Sequence, residues 1–454
     1  MTEKLRLQFL GASGTVTGSR TLLEYSGKKI LIDAGLYQGS STLVERNYAE
    51  LNPEPASLDF IILTHCHIDH SGLLPRYVKE GFTGKIYCTP ATADLLQIQL
   101  PDAAQIQEEE FAQSKKNKKS DGPLYTKEHA LQTLKQLHVI QFETWVSIGG
   151  LSFLFQWAGH ILGAASVRLH WDMYKFLFSG DIGQPDTILH KGRKPLATED
   201  YVICESTYGA KNRPMQDYQE IVSKHIKHII DWNSILLIPA FAIGRTQLII
   251  YVLYEMMKAG KIPEIPIILD SPMAVKATQV YSRYPEELTK AVQSSGYIEF
   301  LQSKNIELIQ DVESSRQLHE RRGPFILVSA SGMCQGGRIL HHLRSRLGDS
   351  RNVLLFIGYQ AESSLGFQIL NGKRRIKLLG ENIFVQCQLD YIGSFSSHAD
   401  QAGLVDFFKN APGEKPKKVF LNHGTEESRT ALAGLLEPEG YQVFLPRNEA
   451  VYYL

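Results

Sequence analysis

Apolar residues recur along this chain in short runs, most of them closed by glycine, aspartate, serine or histidine. Runs of that length between turn formers read as strands. Up to Thr207 they are LRLQFL (5–10), TLLEY (21–25), KILID (29–33), FIILT (60–64), LSFLFQWA (151–158), SVRLHW (166–171), YKFLFSGD (174–181) and DYVICEST (200–207). The amphipathic stretch Ala91 to Ala112 predicts a helix, and the polar KKNKKSDGP (115–123) a loop. After Thr207 the rhythm changes. SILLIPA (234–240), IPIILD (265–270), FILVSAS (325–331) and NVLLFIG (352–358) alternate with helical stretches such as RTQLIIYVLYEMMK (245–258). That is α/β wiring with a parallel sheet. The tail offers a strand NIFVQCQL (382–389), a helix near Leu404–Lys409, and strands KKVFLNHG (417–424) and YQVFL (441–445). The changes of rhythm set expected boundaries near 207 and 390, dividing the chain into 1–207, 208–390 and 391–454. There is no internal repeat and no low-complexity tract.

Composition adds exclusions. At 454 residues, with 43% hydrophobic and 21% charged residues, the chain has the make-up of a globular protein large enough for more than one domain. Its formal net charge of zero means that any polyanion-binding surface must be a local patch. No apolar run is long enough to span a bilayer, and MTEKLRLQFLGASG has no secretory leader pattern, so no membrane partner and a cytoplasmic location are expected. The five cysteines, Cys66, Cys88, Cys204, Cys334 and Cys387, are scattered and form no CxxC pair, which suits free thiols in a reducing compartment.

The chemistry concentrates in THCHIDHSG (64–72). His65 and His67 are two apart at the end of a strand, so an extended backbone turns both to one side and Cys66 away. Asp69 and His70 follow in the turn before a helix starting near Leu73. Imidazole and carboxylate at this spacing suit a zinc ion. One such cluster cannot fill two coordination spheres. His160 in AGHILGA, Asp181 in FSGDIG and His423 in VFLNHG supply further ligand types, each beside glycine at a strand end, where open α/β folds place their chemistry.

HxHxDH followed by His, Asp and His resembles the metallo-β-lactamase superfamily. ESTYG (205–209), FAIGRTQ (241–247), DSPMAVKAT (270–278), SASGMCQGGRILHHL (329–343), FSSHAD (395–400) and NHGTEESR (422–429) resemble its β-CASP branch, which contains the RNA-cleaving subunit of the pre-mRNA 3′-end machinery, its prokaryotic relatives and ribonuclease J. The resemblance runs over essentially the whole chain. It implies an α/β fold: a four-layer αβ/βα sandwich with an inserted α/β β-CASP domain closing over its metals.

It also implies two zinc ions per chain. His65, His67 and His160 would hold one, Asp69, His70 and His423 the other, and Asp181 would bridge them. Asp33 in LIDAG would orient a ligand histidine. A zinc-bridging hydroxide would attack phosphorus, placing Asp69 among the catalytic residues as well. The family pairs Glu205 with His398. A carboxylate beside imidazole fixes its tautomer and favours the protonated form, so His398 could donate to the leaving oxygen. A histidine at 423, rather than an aliphatic residue, goes with RNA-processing branches. The implied activity is hydrolysis of single-stranded RNA, endonucleolytic by default. A 5′-exonuclease, a DNA-directed nuclease, another metallo-hydrolase of this fold and a non-catalytic scaffold are the alternatives.

Candidate phosphate contacts are Arg245, Ser331, Arg338 and His342, where glycines open a loop or helix. The basic runs KKNKK (115–119), KGRK (191–194) and KRR (373–375) could guide an RNA backbone, or simply be solvated faces. No aromatic platform for base stacking is evident. The sequence shows neither a preceding KH module nor a ribonuclease J-type C-terminal domain, which leaves a homodimer open.

Overall fold

The computed structural model describes residues 4–454 apart from 114–121, 215, 302, 304, 359, 362 and 363. The run KKNKK therefore lies outside the described residues. Contacts divide the chain into one unit of residues up to Asn212 with Ser397–Leu454, and a second of Arg213–Ser396.

In the first unit, alternation decides which faces are buried. Leu7 and Phe9 on Arg6–Phe9, Ile30 and Ile32 on Lys28–Ile32, and Phe60 and Ile62 on Phe60–Ile62 join Phe153, Phe155, Val167, Leu169, Phe176, Phe178, Ile203 and Phe420 in a single core. Two sheets of seven strands carry it. The first runs Val451–Tyr453, Arg6–Phe9, Thr21–Tyr25, Lys28–Ile32, Phe60–Ile62, Lys85–Cys88, Leu137–Val139. The second runs Val443–Phe444, Lys418–Asn422, Tyr201–Glu205, Tyr174–Phe178, Ala165–Trp171, Leu151–Trp157, Val146–Ile148. Leu22, Leu31 and Ile61 alternate with the core set and are fully buried on the opposite face of the first sheet, so both faces of that sheet are covered.

The second unit is built on a six-stranded parallel sheet in the order Ile306–Ile309, Ile267–Asp270, Phe325–Ser329, Ile235–Pro239, Val353–Ile357, Gln388–Ile392. Its central strands are buried along their whole length, as a parallel sheet covered on both faces requires. The helix Arg245–Lys258 spans the residues its apolar spacing predicts.

NIFVQCQL is not one strand. Glu381–Phe384 pairs with Arg375–Leu378 in a separate hairpin, and Gln388–Ile392 joins the main sheet. The buried Val385 and Cys387 between them belong to the second unit's core, so an unbroken apolar run spans two elements. Likewise, Asp69 and His70 sit on a short helix, Ile68–Ser71, where a turn is expected. Among the described residues, no helix is long and apolar enough to cross a membrane.

Candidate metal centre and its neighbours

Six strand ends or the loops just beyond them meet in the first unit. Asp33 follows Lys28–Ile32, His65 and His67 follow Phe60–Ile62, His160 follows Leu151–Trp157, Asp181 follows Tyr174–Phe178, Glu205 ends Tyr201–Glu205, and His423 follows Lys418–Asn422. Gly180 is needed beside Asp181. Its φ is +56°, and a Cβ there would lie 2.9 Å from Thr64 Cβ. Asp33 and His423 take left-handed φ values of +61° and +46°, which side chains rarely adopt. The 11–14 loop holds the His423 turn: His423 N donates to Ala12 O at 2.9 Å and Asn422 Nδ2 to Gly11 O at 3.0 Å.

Two groups of ligand atoms result, each lying within 4.8 Å: His65, His67, His160 and Asp181; and Asp69, His70 and His423. In the first group, His67 Nδ1 is 3.2 Å from His65 Nε2 and 3.1 Å from His160 Nε2. Asp181 Oδ2 is 3.4 Å from His65 Nε2 and 3.5 Å from His160 Nε2. Asp181 Oδ1 faces the other group, 3.2 Å from His70 Nε2 and 3.5 Å from His423 Nδ1. His70 Nε2 and His423 Nε2 are 3.2 Å apart, and His423 Nε2 is 3.5 Å from Asp69 Oδ2.

These separations fit a cation. Four ligands about 2.1 Å from a shared tetrahedral ion lie about 3.4 Å apart. Asp181 Oδ1 is buried and makes no hydrogen bond among the described residues. No lysine or arginine pairs with Asp69 or Asp181 among those residues. A buried carboxylate without such a partner, as Asp181 is, needs a positive charge. Burial, then neighbouring imidazole charge, lowers the pKa of His65, His67 (to about 3) and His160, so their lone pairs stay open to an ion. His70 goes the other way: burial opposes its charge, but Asp181 and Asp33 outweigh burial and raise it well above the ordinary value. Burial raises Asp69 and Asp181, but surrounding imidazoles more than reverse this and hold both below the usual carboxylate range.

A second layer fixes the ring orientations. Asp33 Oδ2 accepts from His70 Nδ1 at 2.6 Å, and its Oδ1 accepts from Thr64 N at 2.8 Å, so His70 Nε2 turns to the cluster. Thr64 Oγ1 meets His65 Nδ1 at 3.1 Å. Thr207 Oγ1 meets His423 Nδ1 at 3.2 Å. The threonines carry no chemical signature in the sequence, and only the folded contacts reveal them.

Glu205 is buried, and its two oxygens lie 3.0 and 3.2 Å from His398 Nδ1. Backbone N–H groups of Ile182 and Thr207 hold the same carboxylate at 2.8 and 3.2 Å. His398 Nε2 thereby turns towards Asp181 Oδ2, 4.0 Å away, and its side chain keeps 18% exposure. Cys66 is fully buried, and burial raises its thiol pKa far enough to keep it protonated.

Arg245, Ser331, Arg338 and His342 all lie in the second unit. Arg338 Nη1 donates to Asp270 Oδ1 at 2.6 Å and Nη2 to Gln310 O at 2.6 Å. His342 is fully buried, its Nε2 2.6 Å from Asp270 Oδ2, so it presents no surface to a phosphate. Ser331 Oγ accepts from Gln335 N at 3.1 Å and braces its own loop. Arg245 opens its helix, with Nε against Gly358. KGRK is likewise engaged: Arg193 donates to Asp406 and Gly403 O, and Lys191 and Lys194 lie over Trp157.

Three family models match the chain: the metallo-beta-lactamase superfamily over 14–219, the Beta-Casp domain over 246–369 and the Zn-dependent metallo-hydrolase RNA specificity domain over 382–446. The chain is 36% identical to Ribonuclease TTHA0252 of Thermus thermophilus, over 98% of each protein. It is 30% identical to the transcription termination factor FttA of Methanosarcina mazei, over 94% of its own length and 68% of the relative's. It is 28% identical to Cleavage and polyadenylation specificity factor 73 of Drosophila melanogaster, over 96% of its length and 62% of the relative's. The crystal structure of a protein of unknown function from Enterococcus faecalis V583 shares the fold with a TM-score of 0.57 at 13% identity, over 99% of this chain and all of that one.

Proposed function

Because the chain belongs to the β-CASP family of the metallo-β-lactamase superfamily, we propose that it is a zinc-dependent ribonuclease that hydrolyses phosphodiester bonds of single-stranded RNA internally. The observation that carries the reading is the pair of ligand groups facing the two oxygens of Asp181. His65, His67 and His160 would hold one zinc ion, Asp69, His70 and His423 a second, with Asp181 between them. When bound, such a pair of divalent ions supplies an acidified water and positive charge for a phosphate. The RNA specificity model and the ribonuclease relative support RNA as the substrate.

The chain's own side chains divide the rest of the work. Asp33 anchors the Nδ1 proton of His70 and leaves Nε2 as the ligand atom. Glu205 meets His398 Nδ1 and orients the ring, so that a proton at Nε2 would face the cluster. That proton is placed to go to the leaving 3′ oxygen or to bond the phosphate.

The test is cleavage of a 5′-labelled single-stranded RNA and a matched DNA strand by the zinc-loaded protein, with Asp181→Ala as control. Internal RNA fragments that vanish in the variant are expected. Stepwise mononucleotide release would make the enzyme an exonuclease. Cleavage of DNA alone, or of neither strand with zinc bound, would overturn the reading.

A further inference from the structure

Of the described basic runs, KRR folds outward. Arg375–Leu378 and Glu381–Phe384 form a two-stranded hairpin with Arg375 opposite Phe384 and Lys377 opposite Asn382. One face is fixed: Ile376, Leu378 and Ile383 pack into the second unit's core. The alternate residues Arg375, Lys377, Asn382 and Phe384 are exposed, as are Lys373 and Arg374 just before the first strand. Residues 371–385 carry four cations and a single carboxylate, Glu381, which Arg344 meets at 3.4 Å. In a chain of formal net charge zero, that is a local excess of positive charge. KGRK, by contrast, is bound up in the packing of the first unit.

Two apolar side chains share the hairpin. Phe384 is 56% exposed and Leu379 44%. The Arg375 guanidinium lies 5.5 Å from the centre of the Phe384 ring. Leu379 holds the hairpin tip at φ +48°, beside Gly380 at φ +87°. A branched residue is strained in that conformation, and an exposed leucine recovers little of the strain by burial within the chain.

Resting on the ribonuclease reading, we infer that the outer face of this hairpin is a further RNA contact, which binds single-stranded RNA through residues other than those of the metal cluster. Arg375 and Lys377 are spaced about 6.8 Å apart along an extended strand, a step suited to successive phosphates. The Phe384 ring, backed by Arg375, offers a face on which a base can stack. Charge complementarity identifies the partner as a polyanion, and the aromatic ring favours an unpaired strand over a duplex.

The experiment uses the full zinc-loaded chain and Arg375→Glu/Lys377→Glu, Arg375→Gln/Lys377→Gln and Phe384→Ala variants. Binding of a fluorescein-labelled 20-mer of single-stranded RNA is followed by anisotropy across a salt series, in an Asp181→Asn background that prevents cleavage. Turnover of bis(p-nitrophenyl) phosphate, which needs only the metal cluster, is followed in the parent background. The charge-reversal variant is expected to bind RNA about tenfold more weakly. Losing two phosphate contacts should flatten its log–log salt slope by about 1.4. Phe384→Ala should lose about tenfold as well, within the range for a stacked base. Diester turnover should be unchanged in all three. Unchanged RNA affinity and salt slope in variants that melt with the parent would overturn the inference. So would tighter capture of duplex RNA or anionic phosphatidylserine vesicles than of single strands. Should the charge reversal disturb folding, the glutamine pair, with a loss of severalfold, decides. A parent protein that binds RNA through the hairpin yet cleaves neither RNA nor the small diester would refute the ribonuclease reading alone.

Discussion

Asp181 and Asp270 are both aspartates at or just beyond the end of a buried strand, 2% and 0% exposed, yet their surroundings are opposite. Asp270 is closed by the protein itself. Its oxygens accept from Arg338, Ser315 and His342, each at 2.6 Å. The ion-pair partners of Asp181 among the described residues are all imidazoles, at 3.2–4.0 Å, and one of its oxygens makes no hydrogen bond there. The difference teaches how to tell a structural buried acid from a functional one. The first brings its own fixed cation and full hydrogen bonding. The second is ringed by groups that can exchange a proton for a metal.

The comparison breaks most sharply with Asp181→Ala. RNA hydrolysis should fall by at least about a thousandfold, roughly 4 kcal/mol of transition-state stabilisation. Metal analysis should find fewer than two zinc ions per chain, while the metal-free protein melts no lower than its parent. Asp270→Ala should do the reverse. It strands Arg338 and His342 and should cost about 3–5 kcal/mol, read by urea unfolding, with zinc content per folded chain intact. A destabilised Asp181→Ala with full zinc, or an Asp270→Ala that loses zinc but not stability, would dissolve the distinction.

Thr207→Val sharpens it on a smaller scale. The valine keeps the shape but removes the hydroxyl at His423 Nδ1, so zinc affinity and kcat should drop about tenfold to a hundredfold. Thr207→Ser should restore both. Titration gives the smallest effect. Buried His65 and His160 and half-buried His67 are held in the neutral form, with pKa values below the unfolded value of about 6.5. Their contribution to the stability of the metal-free protein is therefore present above about pH 6.5 and lost as pH falls through the folded values. His70, raised, works against this trend: its contribution is present at low pH and lost as pH rises. Burial would raise Asp270, but His342, Ser315 and Arg338 hold it below the ordinary value. Its contribution should survive down to about pH 3.9 and vanish below. Unfolding free energies measured from pH 7.5 to 3 on metal-free parent and Asp270→Asn protein should thus separate an earlier loss, common to both, from a later one that the variant lacks.

How much of this was legible in the sequence depended on periodicity and residue chemistry. Strands of five or more residues, such as Thr21–Tyr25 and Leu151–Trp157, were readable because their apolar runs end in turn formers. Leu137–Val139 and Val146–Ile148, of three residues each, were too short to show a period. The candidate ligand residues stood out because histidine and aspartate at strand ends are chemically conspicuous. Arg338 and His342 looked equally conspicuous, but Asp270, whose partners lie 45 to 72 residues further on, decides their role. No local pattern reports such a pairing. Thr64 and Thr207 were invisible for the same reason.

The left-handed backbones at Asp33 and His423 have a consequence for anyone breeding this protein. Glycine accepts those dihedrals freely, so either replacement could relieve about 1–2 kcal/mol of backbone strain. At Asp33 that relief is outweighed, because glycine leaves the buried Thr64 N–H and His70 Nδ1 without their acceptor. A selection for heat resistance alone would therefore be drawn to the His423 codon, and heat and turnover must be selected together there if His423 holds a metal.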